Sequence, residues 1–322
     1  MTQSDTTAPA DTRFGVDLGT FMDPTYWGVG DYDELVRRSK ADPLWFWERT
    51  LDDVAKAGIT AIELTFAPAD YRSAVAAYGS TEGFRQALAA RGLEVISGYF
   101  NTLENTEDPT DPRAQHRILD DAEAYAEFLA ATGGEHLVVG LPMRKTRGQR
   151  PASFVDLASA TVIADIANRV GEVTLAHGVQ TALHTESHSV LWTARDIDLF
   201  MLLTDPMYVA LCPDTGHIAL AGADPVHIVD RHRERLVIAH WKDAIGAVPP
   251  GMTIDSTIFV RQAEYFRRPG AGVVDWFGWS RLLREVSYGG CTLLELDAAA
   301  NPVDEMTNAR QFISNVLSVV RP

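Results

Sequence analysis

Four short apolar runs of this chain each end in polar residues that can bind a metal ion or move a proton. The runs cover residues 181–188, 209–217, 236–243 and 292–297. In a parallel barrel all strands end on the same face, so these side chains would converge although they are far apart in sequence. Mixed His, Asp and Glu ligation suits a divalent ion. We therefore predict one divalent ion at the barrel rim. The donor types do not choose among Mn²⁺, Mg²⁺, Co²⁺ and Zn²⁺, and we take Mn²⁺ as the working candidate.

The candidate residues divide into metal ligands and groups that transfer protons or contact substrate. They are His184, Glu186, His188, Asp214, His217, His240, Lys242 and Glu295, and the residues alone leave open which of them bind the ion. Residues two apart in an extended chain point to the same side, which would bring His184 together with Glu186 and His240 with Lys242. A divalent ion lowers the pKa of its carboxylate ligands, so proton removal needs an unligated base. The histidines at 184, 188 and 217 are candidates for that base.

Most of these residues also have a purely structural interpretation. Asp214 could cap a helix, His240 could be a core histidine, and Lys242 could pair with Asp243 instead of a substrate oxygen. Glu295 is harder to explain structurally, because a buried carboxylate at the end of an apolar run needs a partner.

Glu63 interrupts a further apolar run between Ile62 and Leu64, which suggests a structural carboxylate or one at the barrel mouth, and we rank it second. Aromatic residues in the predicted loops after strands one and three could stack on a sugar ring or simply pack. They are Phe21, Tyr26, Trp27, Tyr99 and Phe100.

Apolar periodicity and Gly or Pro breaks predict eight strands that alternate with eight helices. The strands are predicted over 13–19, 59–64, 93–97, 136–139, 181–184, 208–212, 236–239 and 292–295. The helices are predicted over 42–58, 81–91, 117–132, 153–177, 194–203, 224–234, 276–286 and 303–319. Apolar strands between helices indicate a parallel sheet, and eight such units favour an α/β (β/α)8 TIM barrel in a single domain, residues 13–322. Residues 1–12 are predicted to be a disordered tail without signal-peptide features.

Composition excludes several classes of function. The chain has 322 residues, 46% of them hydrophobic, and carries 28 Lys and Arg against 44 Asp and Glu, a net charge of −16. This charge would repel nucleic acid and anionic membranes, so we expect neither as a partner. Cys212 and Cys291 lie in apolar runs and are predicted to be buried free thiols, which suits the cytoplasm. We expect a small sugar-type substrate.

At the level of motifs, residues 13–318 resemble the xylose isomerase-like TIM barrel superfamily of sugar isomerases and epimerases. The motifs are residues 57–64, Asp214-Thr-Gly-His217, His240-Trp-Lys-Asp243, residues 269–276 and residues 293–296. The resemblance implies one divalent metal bound by Glu, Asp, His and Glu, of which the last three correspond to Asp214, His240 and Glu295. The first Glu usually ends strand five, where this chain has His184 followed by Glu186, so either could ligate the ion. With Glu186 in that position, the resemblance predicts Glu186, Asp214, His240 and Glu295 as metal ligands. It leaves His184, His188, His217 and Lys242 as the predicted catalytic residues.

Within that superfamily the chain is most similar to inosose dehydratases and to the catalytic subunits of C-glycoside deglycosidases, through residues 257–270. The resemblance implies a lyase that removes a proton next to a carbonyl and expels a β-substituent from a keto-sugar, keto-inositol or 3-keto-C-glycoside. Ala271 replaces the acidic residue of the usual Pro-Gly-Asp-Gly turn, which makes an unusual substrate plausible. Deglycosidases work with a small second subunit, which could dock on the long loops 100–116 and 243–275; otherwise we expect a homo-oligomer.

Three other functions compete with the lyase. A ketose epimerase or aldose–ketose isomerase would use the same metal site without a leaving group. An endonuclease of the abasic-site type would need a basic groove, against which the net charge argues. A binding subunit on a barrel scaffold would need no turnover.

Overall fold

A computed structural model of the protein describes residues 13–144, 155–249, 251–255 and 257–320. The tail predicted over 1–12 and the first two residues of the helix predicted over 153–177 lie outside these ranges.

The central element is a sheet of eight parallel strands that curls into a barrel. The strands of the chain are β1 Phe14–Asp17, β2 Ala61–Leu64, β3 Glu94–Phe100, β4 His136–Val139, β5 Gln180–His184, β6 Val209–Cys212, β7 His240–Trp241, β8 Asp243–Ala244, β9 Phe266–Arg267 and β10 Thr292–Leu294. The barrel order is β6, β5, β4, β3, β2, β1, β10, β7, while β8 and β9 form a separate antiparallel pair. Parallel bridges from Leu211 to Leu236 and from Asp214 to His240 connect the two edges. The predicted (β/α)8 barrel is confirmed.

Helices cover the outside of the barrel. They are α1 Pro24–Trp27, α2 Tyr32–Ala41, α3 Pro43–Lys56, α4 Tyr71–Tyr78, α5 Thr81–Ala89, α6 Pro112–Thr132, α7 Leu157–Leu175, α8 Ala194–Leu203, α9 Thr215–Leu220, α10 Pro225–Arg231, α11 Ile258–Ala263, α12 Trp276–Glu285 and α13 Pro302–Val319. In the part of the chain that the structure describes, no helix has both the length and the apolar character needed to cross a bilayer.

Two predicted boundaries are wrong for identifiable reasons. Helix α6 begins at Pro112 rather than Arg117, because Asp111 caps it by accepting from the backbone of Arg113 and proline suits the first turn. The strand predicted over 236–239 lies too early in the chain. The ladder with β10 instead pairs His240 with Leu293, directly after a short 3₁₀ turn and a single bridge at Leu236.

The barrel interior is filled by a cluster of small and medium apolar side chains. Its members are Ala61, Ile96, Val138, Ala182, Ala210, Cys212, Ile238, Cys291 and Leu293. Side chains two residues further along a strand point to the same side. The next layer towards the strand ends is therefore polar: it consists of Glu63, His184, Asp214, His240 and Glu295. Both cysteines are buried free thiols, as predicted.

The aromatic residues predicted to lie in loops are mostly structural. Phe21 and Trp27 are buried and pack against Tyr26, with ring centroids 5.7 and 4.9 Å from it, so these three form part of the core. The placement of the other two in a loop is wrong, because Tyr99 and Phe100 belong to β3. Among the five, Tyr99 lines the substrate-sized cavity described below.

Candidate metal centre and substrate cavity

Four side chains of the polar layer bring their donor atoms together. One donor atom each from His184, Asp214, His240 and Glu295 lies within 4.8 Å of the others. These four residues are called the metal group below, because together they could bind one ion. His184 Nε2 is 3.8 Å from Asp214 Oδ2 and 3.9 Å from Glu295 Oε2. His240 Nδ1 is 4.0 Å from Asp214 Oδ2 and 2.6 Å from Glu295 Oε2. Tetrahedral ligands with bonds of about 2.1 Å lie about 3.4 Å apart, so small shifts would let these atoms hold one ion.

Unsatisfied polar atoms at this position also fit a metal ion. Both ring nitrogens of His184 and Oδ2 of Asp214 are buried without a hydrogen-bond partner among the residues described. Burying such atoms without a partner is costly. A bound cation would satisfy Asp214 and one nitrogen of His184 together. The donor set therefore fits a divalent ion.

Asp214 both caps a helix and contributes an oxygen to the candidate site, so the two interpretations of this residue from the sequence hold together. Its Oδ1 accepts a hydrogen bond from the backbone of His217 at 2.8 Å and so caps α9, while Oδ2 points to the metal group. Position 216 is a glycine because a larger residue would not fit: a Cβ there would lie 2.6 Å from Cγ of Lys242. Thr215 Oγ1 donates to the carbonyl of Lys242 at 2.5 Å. The Asp-Thr-Gly-His motif thus fixes the strand end that carries Lys242.

Each histidine of the group has a second carboxylate on its other ring nitrogen. Glu63 Oε1 lies 2.9 Å from Nε2 of His240, and Glu186 Oε2 lies 3.4 Å from Nδ1 of His184. A carboxylate in this position orients a metal-bound imidazole and raises its basicity. Burial lowers the pKa of His240, but Glu63 and its other neighbours outweigh burial and leave this pKa well above its ordinary value. The site therefore favours positive charge at this point.

Lys242 is a fully buried cation between carboxylates. Its Nζ lies 2.5 Å from Glu295 Oε1 and 2.9 Å from Asp297 Oδ1. Burial alone would lower the pKa of Lys242, but the two carboxylates raise it by more. The pKa of Lys242 therefore lies well above its ordinary value, and the amine stays charged. The alternative pairing with Asp243 is wrong. Asp243 instead accepts hydrogen bonds from the backbone of Gly270 and Val274 and from the indole of Trp276, at 2.9–3.1 Å.

His217 and Glu186 face each other beside the metal group. Ser187 donates its backbone N–H to His217 Nδ1 at 2.8 Å, while His217 Nε2 lies 3.2 Å from Nζ of Lys242 and 3.5 Å from Oε2 of Glu186. Burial and the charge of Lys242 lower the pKa of His217 well below its ordinary value. Burial raises the pKa of Glu186 to about 8. With His184, these two residues form a second group whose atoms could hold a metal ion.

His188 is removed from the other predicted catalytic residues. Its ring packs 4.4 Å from that of Trp192, and Nδ1 lies 3.0 Å from Gln262 Oε1. The amide of Gln262, which lies on α11, donates to Glu186 at 3.2 Å. Within the described chain, His188 is not part of the cavity wall and reaches it through Gln262.

These side chains open into a cavity of about 670 Å³, a size typical of small-molecule sites. His184, Glu186, His217, His240, Lys242 and Glu295 all line it. Sequence reasoning missed Asp17, Glu104 and Gln262, which also line it, and ranked the buried Glu63 too low. Asp17 and Glu63 could have been found, because each interrupts an apolar strand on its inward side. Glu104 comes from an irregular segment without periodicity, and Gln262 comes from the six-residue helix α11, which is too short to show a clear apolar period.

The barrel and its polar layer define a TIM-barrel protein with a convergent His, Asp and Glu site. Residues 51–316 match the xylose isomerase-like TIM barrel family, and the chain belongs to this family. The predicted resemblance is thereby confirmed. An inosose dehydratase of Geobacillus thermodenitrificans is 28% identical over 72% of this chain and 80% of its own length. Another, from Clostridium botulinum, is 26% identical over 84% of this chain and 95% of its own.

Solved structures with the same fold are more distant in sequence. A xylose isomerase-like TIM barrel protein from Mycobacterium smegmatis in complex with magnesium has a TM-score of 0.69 at 18% identity, covering 96% of this chain and 98% of that one. The IOLI protein with a zinc atom has a TM-score of 0.68 at 14% identity, covering 96% and 99%.

Proposed function

We propose that the protein is a divalent-metal-dependent lyase that dehydrates a keto-cyclitol. The reaction removes the proton on the carbon next to the ketone and expels the β-hydroxyl as water. The observation that carries this proposal is the convergence of His184, Asp214, His240 and Glu295 at the wall of a sugar-sized cavity. The curated relatives named inosose dehydratase, which match across most of their length, support the choice of substrate class.

The four converging residues would hold the ion. When bound, the ion would polarise the ketone and make the neighbouring proton more acidic. This assignment takes His184 as the fourth ligand and leaves Glu186, the predicted ligand, outside the ion's immediate shell. Glu186 remains the alternative ligand, because its carboxylate lies beside the same histidine. Two imidazoles favour Zn²⁺ or Co²⁺ over Mg²⁺, the two carboxylates also suit Mn²⁺, and we propose Mn²⁺ as the working ion.

Proton transfer then falls to Glu186, which lines the cavity and has a fixed orientation. Gln262 and His217 hold its two oxygens, and His188 supports Gln262 from behind. Lys242 presents a buried ammonium to the same cavity. We assign it to the substrate oxygen that gains negative charge as the proton leaves, because a preorganised cation stabilises such charge strongly. His217 lies between the Lys242 ammonium and the Glu186 carboxylate, and we assign it to the positioning of both.

The test is to incubate the Mn²⁺-loaded protein with 2-keto-inositol and, in parallel, with 3-keto-C-glycosides and ketohexoses, all in D₂O. We expect 2-keto-inositol to lose one water. Products that have lost no substituent but have gained deuterium would identify the epimerase or isomerase alternative instead. Cleavage of the 3-keto-C-glycoside in place of dehydration would move the substrate class to C-glycosides. Glu295→Gln should lose bound metal and turnover together, whereas the exposed Glu285→Gln should keep both.

We also propose that a small second subunit docks on the segment 243–275. Phe259 and Val260 on α11 expose 48% and 74% of their surface beside the cavity entrance. Size-exclusion chromatography of the chain alone and after co-expression with the adjacent gene tests this. Co-elution that Val260→Asp abolishes would support a second subunit, and separate elution would favour a homo-oligomer or monomer.

A further inference from the structure

A second polar wall of the cavity is built from three elements that the metal group does not use. Tyr99 lies near the end of β3, and Glu104 lies in the segment that follows this strand. The hydroxyl of Tyr99 donates to Glu104 Oε2 at 3.0 Å. Both side chains line the same cavity as the metal group.

Gly140 makes room for this pair. It directly follows β4, and a Cβ at this position would lie 2.4 Å from Oη of Tyr99 and 2.6 Å from Oε2 of Glu104. Distances under 3.0 Å are not tolerated without movement of the neighbours. A side chain at this position would therefore displace the Tyr99–Glu104 pair, and glycine leaves room for the pair without adopting a left-handed backbone angle.

Glu104 is half-buried in the cavity wall. Within the described chain its only hydrogen-bond partner is Tyr99, and no Lys or Arg lies within ion-pair distance. A carboxylate with a purely structural role in a cavity wall would normally be paired with a cation or with several donors. Burial raises the pKa of Glu104 to about 8, with a smaller contribution from the charge of Glu186. Glu104 therefore offers the cavity a neutral carboxyl group that can both donate and accept.

The position of Glu104 separates it from the metal group by the width of one aromatic ring. The ring of Tyr99 meets that of His184 edge to face at 5.5 Å, while its hydroxyl contacts Glu104 at the opposite end. An ion at the metal group can contact only the ketone and a neighbouring oxygen of a six-membered ring. The remaining hydroxyls need other partners, and Glu104 is held in place to be one of them.

We infer that Glu104, positioned by Tyr99, binds a ring hydroxyl remote from the metal group and thereby selects polyhydroxylated ring substrates. This inference deepens the proposed function and rests on it for the substrate class. A buried polar group that expects a substrate hydroxyl discriminates strongly against an analogue that lacks it. Glu104 is thus a specificity-determining residue, and Tyr99 is a positioning residue.

The experiment combines variants of Glu104 with deoxy analogues of the substrate. Wild type, Glu104→Leu, Glu104→Gln and Tyr99→Phe are loaded with Mn²⁺ and titrated calorimetrically with inositol and a set of deoxyinositols, which have no ketone and are not turned over. For the wild type we expect one deoxy isomer to bind about 10- to 100-fold more weakly than inositol. In Glu104→Leu this difference should disappear. Glu104→Gln, which keeps hydrogen bonding, should retain part of it, and Tyr99→Phe should reduce it.

Kinetics with 2-keto-inositol separate this role from a structural one. Glu104→Leu should raise KM by about tenfold or more while kcat changes less, because the contact is made equally in the ground and transition states. Metal content should equal that of the wild type and of the exposed control Glu127→Gln. Equal affinity of the wild type for inositol and every deoxy isomer, or loss of metal in Glu104→Leu, would overturn the inference. Discrimination by Glu104 without any dehydration would instead reject the lyase and keep the specificity role.

Discussion

Glu63 Oε1 lies 2.9 Å from Nε2 of His240 inside the barrel, on the ring nitrogen opposite the one that faces Glu295. Glu63 is fully buried. A buried carboxylate behind a metal-binding imidazole fixes the ring's orientation and tautomer. This contact gives a reason for the carboxylate that interrupts β2.

Replacing Glu63 by Gln should therefore weaken metal binding without removing a ligand. Loss of such a carboxylate typically costs about 10- to 100-fold in metal affinity. The measurement is a competition titration with a chromogenic chelator, with Glu127→Gln on the surface of α6 as the matched control. Unchanged affinity in Glu63→Gln would show that the carboxylate does not act on His240.

Gly216→Ala should disturb Lys242. Alanine has a higher helix propensity than glycine. The added Cβ, however, would lie 2.6 Å from Cγ of Lys242. Overpacking of this kind typically costs about 1–3 kcal/mol. We expect lower stability in urea and lower turnover. Gly289→Ala, whose Cβ would meet open space, should change neither, and a Gly216→Ala protein with wild-type turnover would argue against the role of Lys242.

Asp243 should contribute to stability rather than to chemistry. Its carboxylate anchors residues 270–276 through two backbone donors and the Trp276 indole. Hydrogen bonds to a charged group contribute about 1.5–3 kcal/mol each, so Asp243→Ala should lose at least about 2 kcal/mol of unfolding free energy. Metal affinity measured below the new melting temperature should stay near that of the wild type. A selective loss of metal would instead place Asp243 at the site.

The metal-free protein should lose stability as the pH rises from about 5 to 8. Burial raises the pKa of Glu104 and of Glu186 from 4.5 to about 8, so the folded state binds more protons than the unfolded state in this interval. The stabilisation is complete below the unfolded pKa and is lost as the pH passes the folded pKa. Glu104→Gln should flatten the decline by up to about 1.4 kcal/mol per pH unit. An unchanged slope in urea unfolding would show that Glu104 is not protonated on folding.

Much of this site follows from strand periodicity alone. Asp214, His240 and Glu295 each stand two residues beyond an inward-facing apolar residue, so their convergence is implied once the barrel is recognised. His184 stands two residues beyond the inward-facing Ala182 in the same way, but a strand continued for two more residues would also turn Glu186 inward. Only the structure separates the two, because β5 ends at His184 and the chain then turns. Backbone pairing of Glu186 with Leu191 takes it out of the strand.

Contacts across the barrel could not be predicted from the sequence for another reason. Glu63 and His240 come from strands that are not neighbours in the sheet, and no local pattern reports their distance. Glu104 lies in a segment without periodicity, so only the packing of Tyr99 and Gly140 reveals its place.

The most direct test of the proposed centre is a crystal structure of the Mn²⁺-loaded protein with anomalous data collected at the metal edge. We expect one strong peak within about 2.0–2.4 Å of His184 Nε2, Asp214 Oδ2, His240 Nδ1 and Glu295 Oε2. A peak ligated by Glu186 in place of His184, or lying outside this group, would contradict the assignment.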